Sequence, residues 1–204
     1  HTPIIGINTG HLGFFQELVP SELEKFVNHY NDGNYTIEKI HPLRALITDH
    51  DGVHEVTGIN EILVMGMYTK LAHLSIIMDD TPIQEFIGDG ILVSTPVGST
   101  AYNYSLGGSL VAPELDALQL TPMAPMNTSA YRCFRSSILY PASKKVRLVT
   151  RKSTVGDKLL LAYDGLTSEF SNVSKIDVAQ AEDEIHLLRL PGYDYWKKLT
   201  NKLL

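Results

Sequence analysis

The chain has 204 residues, of which 44% are hydrophobic and 20% charged, enough apolar content for a sizeable core in one large or two small domains. Its formal net charge of -6 excludes a surface built mainly for nucleic acid or anionic membrane, neither of which attracts a net-acidic partner. A single cysteine, Cys133, excludes an internal disulfide and a cysteine-based zinc site, suits a reducing compartment, and reads as a small buried hydrophobe. No apolar run approaches the roughly 20 residues that span a bilayer and no signal-peptide pattern is present, so a cytoplasmic protein is expected.

In chain order, His1-Thr2-Pro3-Ile4-Ile5-Gly6 enters strand-like sequence at once and without a methionine, which predicts that an N-terminal portion precedes it. Ile4-Ile5-Gly6-Ile7 reads as a short strand, followed by a loop punctuated by Gly10 and Gly13. Ser21 and Glu24 have the spacing of a capping box, Leu23, Phe26, Val27 and Tyr30 recur at helical intervals, and Asn31-Asp32-Gly33 supplies a stop, which together predict a helix. From about Tyr35 to Leu190 short β-branched runs alternate with turn chemistry at Asp51-Gly52, Asp79-Asp80 and Asp164-Gly165, predicting mostly antiparallel β-structure. Helical interruptions are expected near Thr100 to Leu106 and near Glu114 to Leu118. After Pro191-Gly192, Trp196, Leu199 and Leu203 share one face of a final helix, with Lys197, Lys198 and Lys202 mostly away from it.

Residues 88 to 108 hold the densest chemistry: Gly88-Asp89-Gly90, the run Ile91-Leu92-Val93, then Ser94-Thr95-Pro96-Val97-Gly98-Ser99-Thr100-Ala101-Tyr102, Ser105 and Gly107-Gly108. A strand that runs through Thr-Pro into a short helix leaves backbone N–H groups and hydroxyls for a polar ligand. Asp89 between two glycines is either a turn residue or a carboxylate unusually open to a ligand. Asn60-Glu61, before Ile62-Leu63-Val64-Met65, reads either as the turn that starts a strand or as a pair that recognises ribose hydroxyls. Asp164 reads locally as a hairpin residue, and the basic run from Arg147 to Lys152 as a solvated strand face. His50 and His54 bracket an Asp-Gly turn and read as solvated hairpin side chains, so no residue is assigned to a metal. No Walker loop, dinucleotide G-x-G-x-x-G or G-x-S-x-G elbow is present, since Val93 stands where a third glycine would follow Gly88 and Gly90.

The ordered set Gly6-Ile7-Asn8, Gly10, Leu12-Gly13-Phe14, Asn60-Glu61, Gly88-Asp89-Gly90, the Ser94 to Tyr102 segment, Gly107-Gly108, Leu120-Thr121-Pro122-Met123-Ala124-Pro125 and Asp164-Gly165 closely resembles the NAD kinase family over nearly the whole chain. The resemblance implies an α+β protein: part of an N-terminal α/β domain (residues 1–38 with 194–204) and a large all-β domain of two packed sheets (39–193), the last helix returning to the first. It implies phosphorylation of the adenosine 2′-hydroxyl of NAD to NADP, with ATP or polyphosphate as donor and Mg²⁺ as the accompanying ion. Carried over by position, Asn60 and Glu61 contact the diphosphate and ribose region, Thr100, Ala101, Tyr102 and Ser105 bind adenine or nicotinamide groups, and Asp89 acts from a neighbouring subunit. Leu12 and Phe14 form an apolar wall for adenine, Ala124 a close-approach position, and Asp164, at the family's hairpin Asp-Gly near the substrate, counts among the NAD-binding residues, in a homo-oligomer of dimer or tetramer type.

No catalytic residue is assigned within the chain, because the family's G-G-D-G motif, whose Asp acts as the base, is expected upstream of His1. Two positions depart from the family pattern: Ile87 stands where a basic residue is common, and Val97 where a small hydroxyl residue is frequent. Two other functions fit parts of the pattern: a catalytically silent NAD-binding module, and a lipid kinase of the diacylglycerol or sphingosine type. The polar Thr100 to Ser105 segment favours a nucleotide over a lipid.

Overall fold

Where apolar and polar residues alternate, one face of a strand can bury while the other stays wet. Leu43, Ala45 and Ile47 accordingly lie fully buried while Arg44 between them faces solvent. The computed structural model describes residues 2–10, 15–68, 70–129, 132–151 and 158–203. The chain divides into one unit of residues 1–40 with 183–204 and a second of residues 41–182.

In chain order the elements are β1 (Gly6–Ile7), β2 (Gln16–Leu18), α1 (Leu23–Asn31), β3 (Thr36–Ile40), β4 (Leu43–Thr48), β5 (Val53–Gly58), β6 (Glu61–Gly66), β7 (Ala72–Met78), β8 (Thr81–Gly88) and β9 (Gly90–Ser94). There follow α2 (Tyr102–Ser105), β10 (Ala117–Met123), β11 (Ile138–Pro141), β12 (Val146–Thr150), β13 (Lys158–Tyr163), β14 (Leu166–Ser171), β15 (Lys175–Gln180), β16 (Ile185–Arg189) and α3 (Tyr195–Leu203).

The second unit is two six-stranded sheets, ordered β11-β10-β9-β6-β13-β14 and β5-β4-β15-β12-β7-β8. Their inward residues, among them Ile62, Val64, Ile91 and Leu161 from the first and Leu43, Leu74, Leu148 and Ile176 from the second, form one continuous core. Cys133 is buried in that core, as its lone occurrence suggested. The turn chemistry falls where the sequence puts it. Asp79 and Asp80 join β7 to β8 with φ of 43° and 65°, and Asp164 and Gly165 join β13 to β14 with φ of 45° and 82°. Positive φ at both central residues matches the right-handed twist of the paired strands.

The helix expected over Glu114 to Leu118 does not form: Leu118 and Leu120 alternate with Gln119 and Thr121 in β10, between β9 and β11. Pairing on both edges, with Leu118 through Pro122 all buried, outweighs any local helical preference. The basic run likewise forms a strand face, with Arg147 Nε 2.6 Å from Asp177 and Arg151 Nη2 2.5 Å from Glu85.

In the first unit β1 runs parallel to β2, and β16 runs antiparallel to β3 from Ile185 opposite Ile40 to Arg189 opposite Thr36. That pairing places residues 183–193 in the first unit rather than in the β domain expected for them. The expected strand at Ile4–Ile7 is reduced to Gly6–Ile7 plus one bridge from Ile4 to Leu187. Helix α1 begins at Leu23, and the reciprocal cap is not made by Ser21 and Glu24: Val19 donates its N–H to the Glu22 carboxylate at 3.1 Å, two positions earlier. Helix α3 belongs to this unit, but its face is rotated from the expected one. Tyr195 and Leu199 are buried while Trp196 is exposed, and Lys198 turns inward to donate to the Gln16 carbonyl. Buried acid draws it there: Glu17 accepts from Arg189 at 3.1 Å and Glu38 accepts from the same guanidinium at 2.5 Å.

Candidate dinucleotide site

Register brings three separate segments to one end of a single sheet. Glu61 at the start of β6 pairs with Ser94 at the end of β9, and Ile62 pairs with Tyr163 at the end of β13. The β5–β6 turn, the β13–β14 hairpin tip and the segment leading into α2 therefore meet. Thr95 donates its N–H to the Asn60 carbonyl at 3.0 Å and its hydroxyl to the Ile59 carbonyl at 2.8 Å. From the other side the Asp164 carboxylate accepts the N–H of Ile59 at 2.5 Å and that of Asn60 at 2.8 Å. A side chain at position 98 would put a Cβ 1.9 Å from the Asn60 carbonyl oxygen, so only glycine fits there.

Glu61 accepts a hydrogen bond from the backbone N–H of Tyr102 at the start of α2, while its Oε2 is buried with no hydrogen-bond partner among the described residues. Burial pushes the Glu61 carboxyl up to about 7, the neighbouring Asp164 carboxylate adds to the rise, and the Tyr102 N–H opposes it. Thr100 Oγ1 donates to the Val97 carbonyl within its own turn at 3.1 Å, and Tyr102 and Ser105 are exposed. Ala101 makes the bend between that turn and α2, with φ -95° and ψ -135°. The predicted residues Asn60, Glu61, Thr100, Ala101, Tyr102, Ser105 and Asp164 thus lie around one end of the sheet.

The support beneath α2 was not singled out from sequence. Asn103, fully buried, accepts from the Thr121 hydroxyl at 2.6 Å and donates to the Ser99 and Ser109 carbonyls, each at 3.3 Å. Gln119 accepts the Ser109 N–H at 2.7 Å and donates to its carbonyl at 3.0 Å, while the Ser99 hydroxyl accepts the Val111 N–H at 3.0 Å. A Cβ at Gly108 would meet the Asn103 amide at 2.2 Å. The Gly107-Gly108 pair beside an otherwise apolar strand carrying Gln119 and Thr121 was the available signal.

Asp89 and Ala124 lie elsewhere. Gly90 pairs with Met65 and with Met123, at the far end of β6 and β9 from Glu61, and the Asp89 N–H donates to the Met123 carbonyl at 3.0 Å. The step from Glu61 to Met65 along a strand covers about 13 Å. Within one chain Asp89 does not meet Glu61. Leu12 and Phe14 lie outside the described residues. At the first departure, Ile87 is buried and donates its N–H to Cys133 Sγ at 3.3 Å; at the second, Val97 is half-buried beside Gly98. The histidines of the β4–β5 hairpin do approach carboxylates, with His50 and His54 each 3.1 Å from Asp51 and Asp49 respectively, but Asp49 also accepts from the Asp51 and Gly52 backbone.

The profile of the family described as ATP-NAD kinase C-terminal domain matches residues 59–190, which include Asn60, Glu61, Asp89 and Asp164. The chain belongs to the NAD kinase family. It is 37% identical to the NAD kinase of Finegoldia magna over 99% of its own length and 75% of that protein. It is 32% identical to NAD kinases of Streptococcus pyogenes over 98% of its length and 71% of theirs. Among solved structures the fold matches yeast NADH kinase complexed with NADH, with a TM-score of 0.85 at 24% identity over 98% of this chain and 58% of that one. It also matches an NAD kinase from Archaeoglobus fulgidus in complex with ATP, with a TM-score of 0.75 at 22% identity over 98% of this chain and 72% of that one. Two packed sheets and a C-terminal helix are common ground between the sequence reading and this fold. No helix among the described residues is long and apolar enough to cross a membrane.

Proposed function

We propose that this chain supplies the acceptor-binding part of an NAD kinase, which transfers a phosphoryl group to the adenosine 2′-hydroxyl of NAD and yields NADP. The observation that carries the reading is Glu61. A buried carboxyl oxygen beside an Asn60 side chain, neither with a hydrogen-bond partner among the described residues, leaves polar groups aimed at a ligand rich in hydroxyls and amides. Family membership says which ligand fits.

On this reading Asn60 and Glu61 hold a ribose and the diphosphate region, and Thr100, Ala101, Tyr102 and Ser105 face the adenine or nicotinamide end. Leu12 and Phe14 wall the adenine. Asp89 and Ala124 close the site from a second copy of the chain, because they stand at the opposite end of β6 and β9. Holding the dinucleotide so that one hydroxyl faces the donor lowers the barrier by several kcal/mol through positioning. The donor, ATP or polyphosphate with its Mg²⁺, enters as substrate. The carboxylates of this site do not make a seat for the ion, since both Asp164 oxygens accept backbone N–H groups and Glu61 is pushed towards its protonated form.

Calorimetry of the chain with NAD, NADP and diacylglycerol, beside an assay for NADP formation with Mg²⁺ and ATP or polyphosphate, tests the reading. NAD or NADP binding supports it. Lipid binding without dinucleotide binding overturns it in favour of a lipid kinase, and NAD binding with no turnover in a chain extended to the relatives' length assigns a silent NAD-binding module.

A further inference from the structure

Strands β5 and β6 are joined by only Ile59 and Asn60, yet they are not a hairpin: β5 is an edge of one sheet and β6 is central in the other. A turn that crosses between sheets has no ladder of its own to fix it, and its backbone polar groups need other partners. All four find them in two side-chain-bearing residues far away in sequence. Asp164 takes both N–H groups with its two carboxylate oxygens, at 2.5 Å from Ile59 and 2.8 Å from Asn60. Thr95 takes both carbonyls, that of Ile59 with its hydroxyl at 2.8 Å and that of Asn60 with its own N–H at 3.0 Å.

We propose that Asp164 and Thr95 are positioning residues for the dinucleotide site, gripping the Ile59-Asn60 turn from opposite sides so that Asn60 and Glu61 are aimed at the ligand, with Asp164 making no contact to the substrate itself. The inference rests on the dinucleotide reading above and changes the role of Asp164 within it, from a ligand of the substrate to a holder of the residues that are. Three features agree. Thr95 is almost fully buried and its hydroxyl also accepts the Gly98 N–H at 3.0 Å, so the grip is continuous with the turn that leads into α2. The space beside the Asn60 carbonyl admits only glycine at position 98, which shows how closely the two segments are packed. Asp164 holds a left-handed backbone position, φ 45°, at the tip of a tight hairpin, and from that tip both of its carboxylate oxygens reach the turn. The grip also has an electrostatic side effect, because the same carboxylate helps to hold Glu61 near its protonated form.

Asp164→Asn is the informative variant, since Asn tolerates a left-handed backbone but offers one acceptor where the turn needs two. Amide hydrogen exchange at Ile59 and Asn60 and calorimetric titration with NAD from pH 5.5 to 8.5 are measured on the whole chain. The expected result is exchange faster by about tenfold or more, NAD affinity lower by about tenfold, and a downward move of the pH midpoint that Glu61 gives to NAD binding. Thr95→Val loosens the same amides without moving that midpoint, and Thr95→Ser keeps both amides slow; this pair decides the matter should Asp164→Asn fail to fold. Weakened NAD binding with unchanged exchange at Ile59 and Asn60 overturns the proposal and returns Asp164 to direct substrate contact. Unchanged exchange together with unchanged affinity overturns it as well. A wild-type chain that binds no NAD at any pH removes the dinucleotide reading instead, while the exchange data still decide the grip.

Discussion

Glu61→Gln separates what the site costs the fold from what it gives the ligand. The Glu61 carboxyl moves from an ordinary value of 4.5 to about 7 on folding, mainly through burial. Between those two values the folded chain keeps a proton that the unfolded chain has released, so stability falls as pH rises from 4.5 to 7 and the whole penalty is present above 7. At about 1.36 kcal/mol per pKa unit the ceiling is about 3.4 kcal/mol, and partial solvent access to a half-buried group brings the expectation to about 1–3 kcal/mol. Gln cannot ionise. Its carbonyl still accepts the Tyr102 N–H, and its amide leaves a buried donor unsatisfied equally at every pH, so that cost cancels in a comparison between two pH values. Urea unfolding followed by circular dichroism should then show the variant gaining about 1–3 kcal/mol relative to the wild type between pH 4.5 and pH 8. NAD affinity should meanwhile fall about tenfold or more. A stability difference that does not change with pH would refute the argument, because it would mean that Glu61 ionises in the folded chain as readily as in water.

Three other substitutions follow from buried groups. Tyr140 lies in the core with its hydroxyl lacking a hydrogen-bond partner among the described residues, so Tyr140→Phe should leave stability unchanged or raise it by up to about 1 kcal/mol in the same urea titration. Asn103→Ala strips partners from Thr121, Ser99 and Ser109 at once and should destabilise the β unit by about 2–4 kcal/mol, with faster amide exchange in α2. Burial lowers Lys198 from 10.5 to about 8 despite Glu17 beside it. The unfolded chain therefore holds a proton that the folded one lacks, and stability of the first unit should rise from pH 8 to pH 10 by about 1–2 kcal/mol. Lys198→Met should abolish that rise.

The strands and their tips were legible because their causes are local. Asp79-Asp80 and Asp164-Gly165 carry their own turn chemistry, and the alternation of Leu43, Ala45 and Ile47 names an inner face. Asn60 and Glu61 were legible as a pair through family resemblance, and their partnership with the α2 segment follows from the pairing of Glu61 with Ser94. What the chain hides is non-local. Nothing near Ile59 says that β5 and β6 belong to different sheets, and nothing near Asp164 says that its carboxylate faces backbone 104 and 105 residues away. The inward turn of Lys198 had the same origin: helical spacing put it on the wet side, while a buried carboxylate at Glu17 decided otherwise. In Gln119 and Thr121 polar residues on a buried strand were visible, but the loop that they tie down was not.

The placement of Glu61 and Asp89 at opposite ends of the same two strands makes a genetic test available. Where one copy lends Glu61 and its neighbour lends Asp89, a chain crippled at one position can be rescued by a chain crippled at the other. In an equal mixture of Glu61→Gln and Asp89→Asn chains that exchange freely as dimers, about half the pairs are mixed and each carries one wild-type pocket, so about a quarter of pockets recover. Complementation between two individually defective proteins would reveal a pocket shared across a subunit boundary without any need to see it.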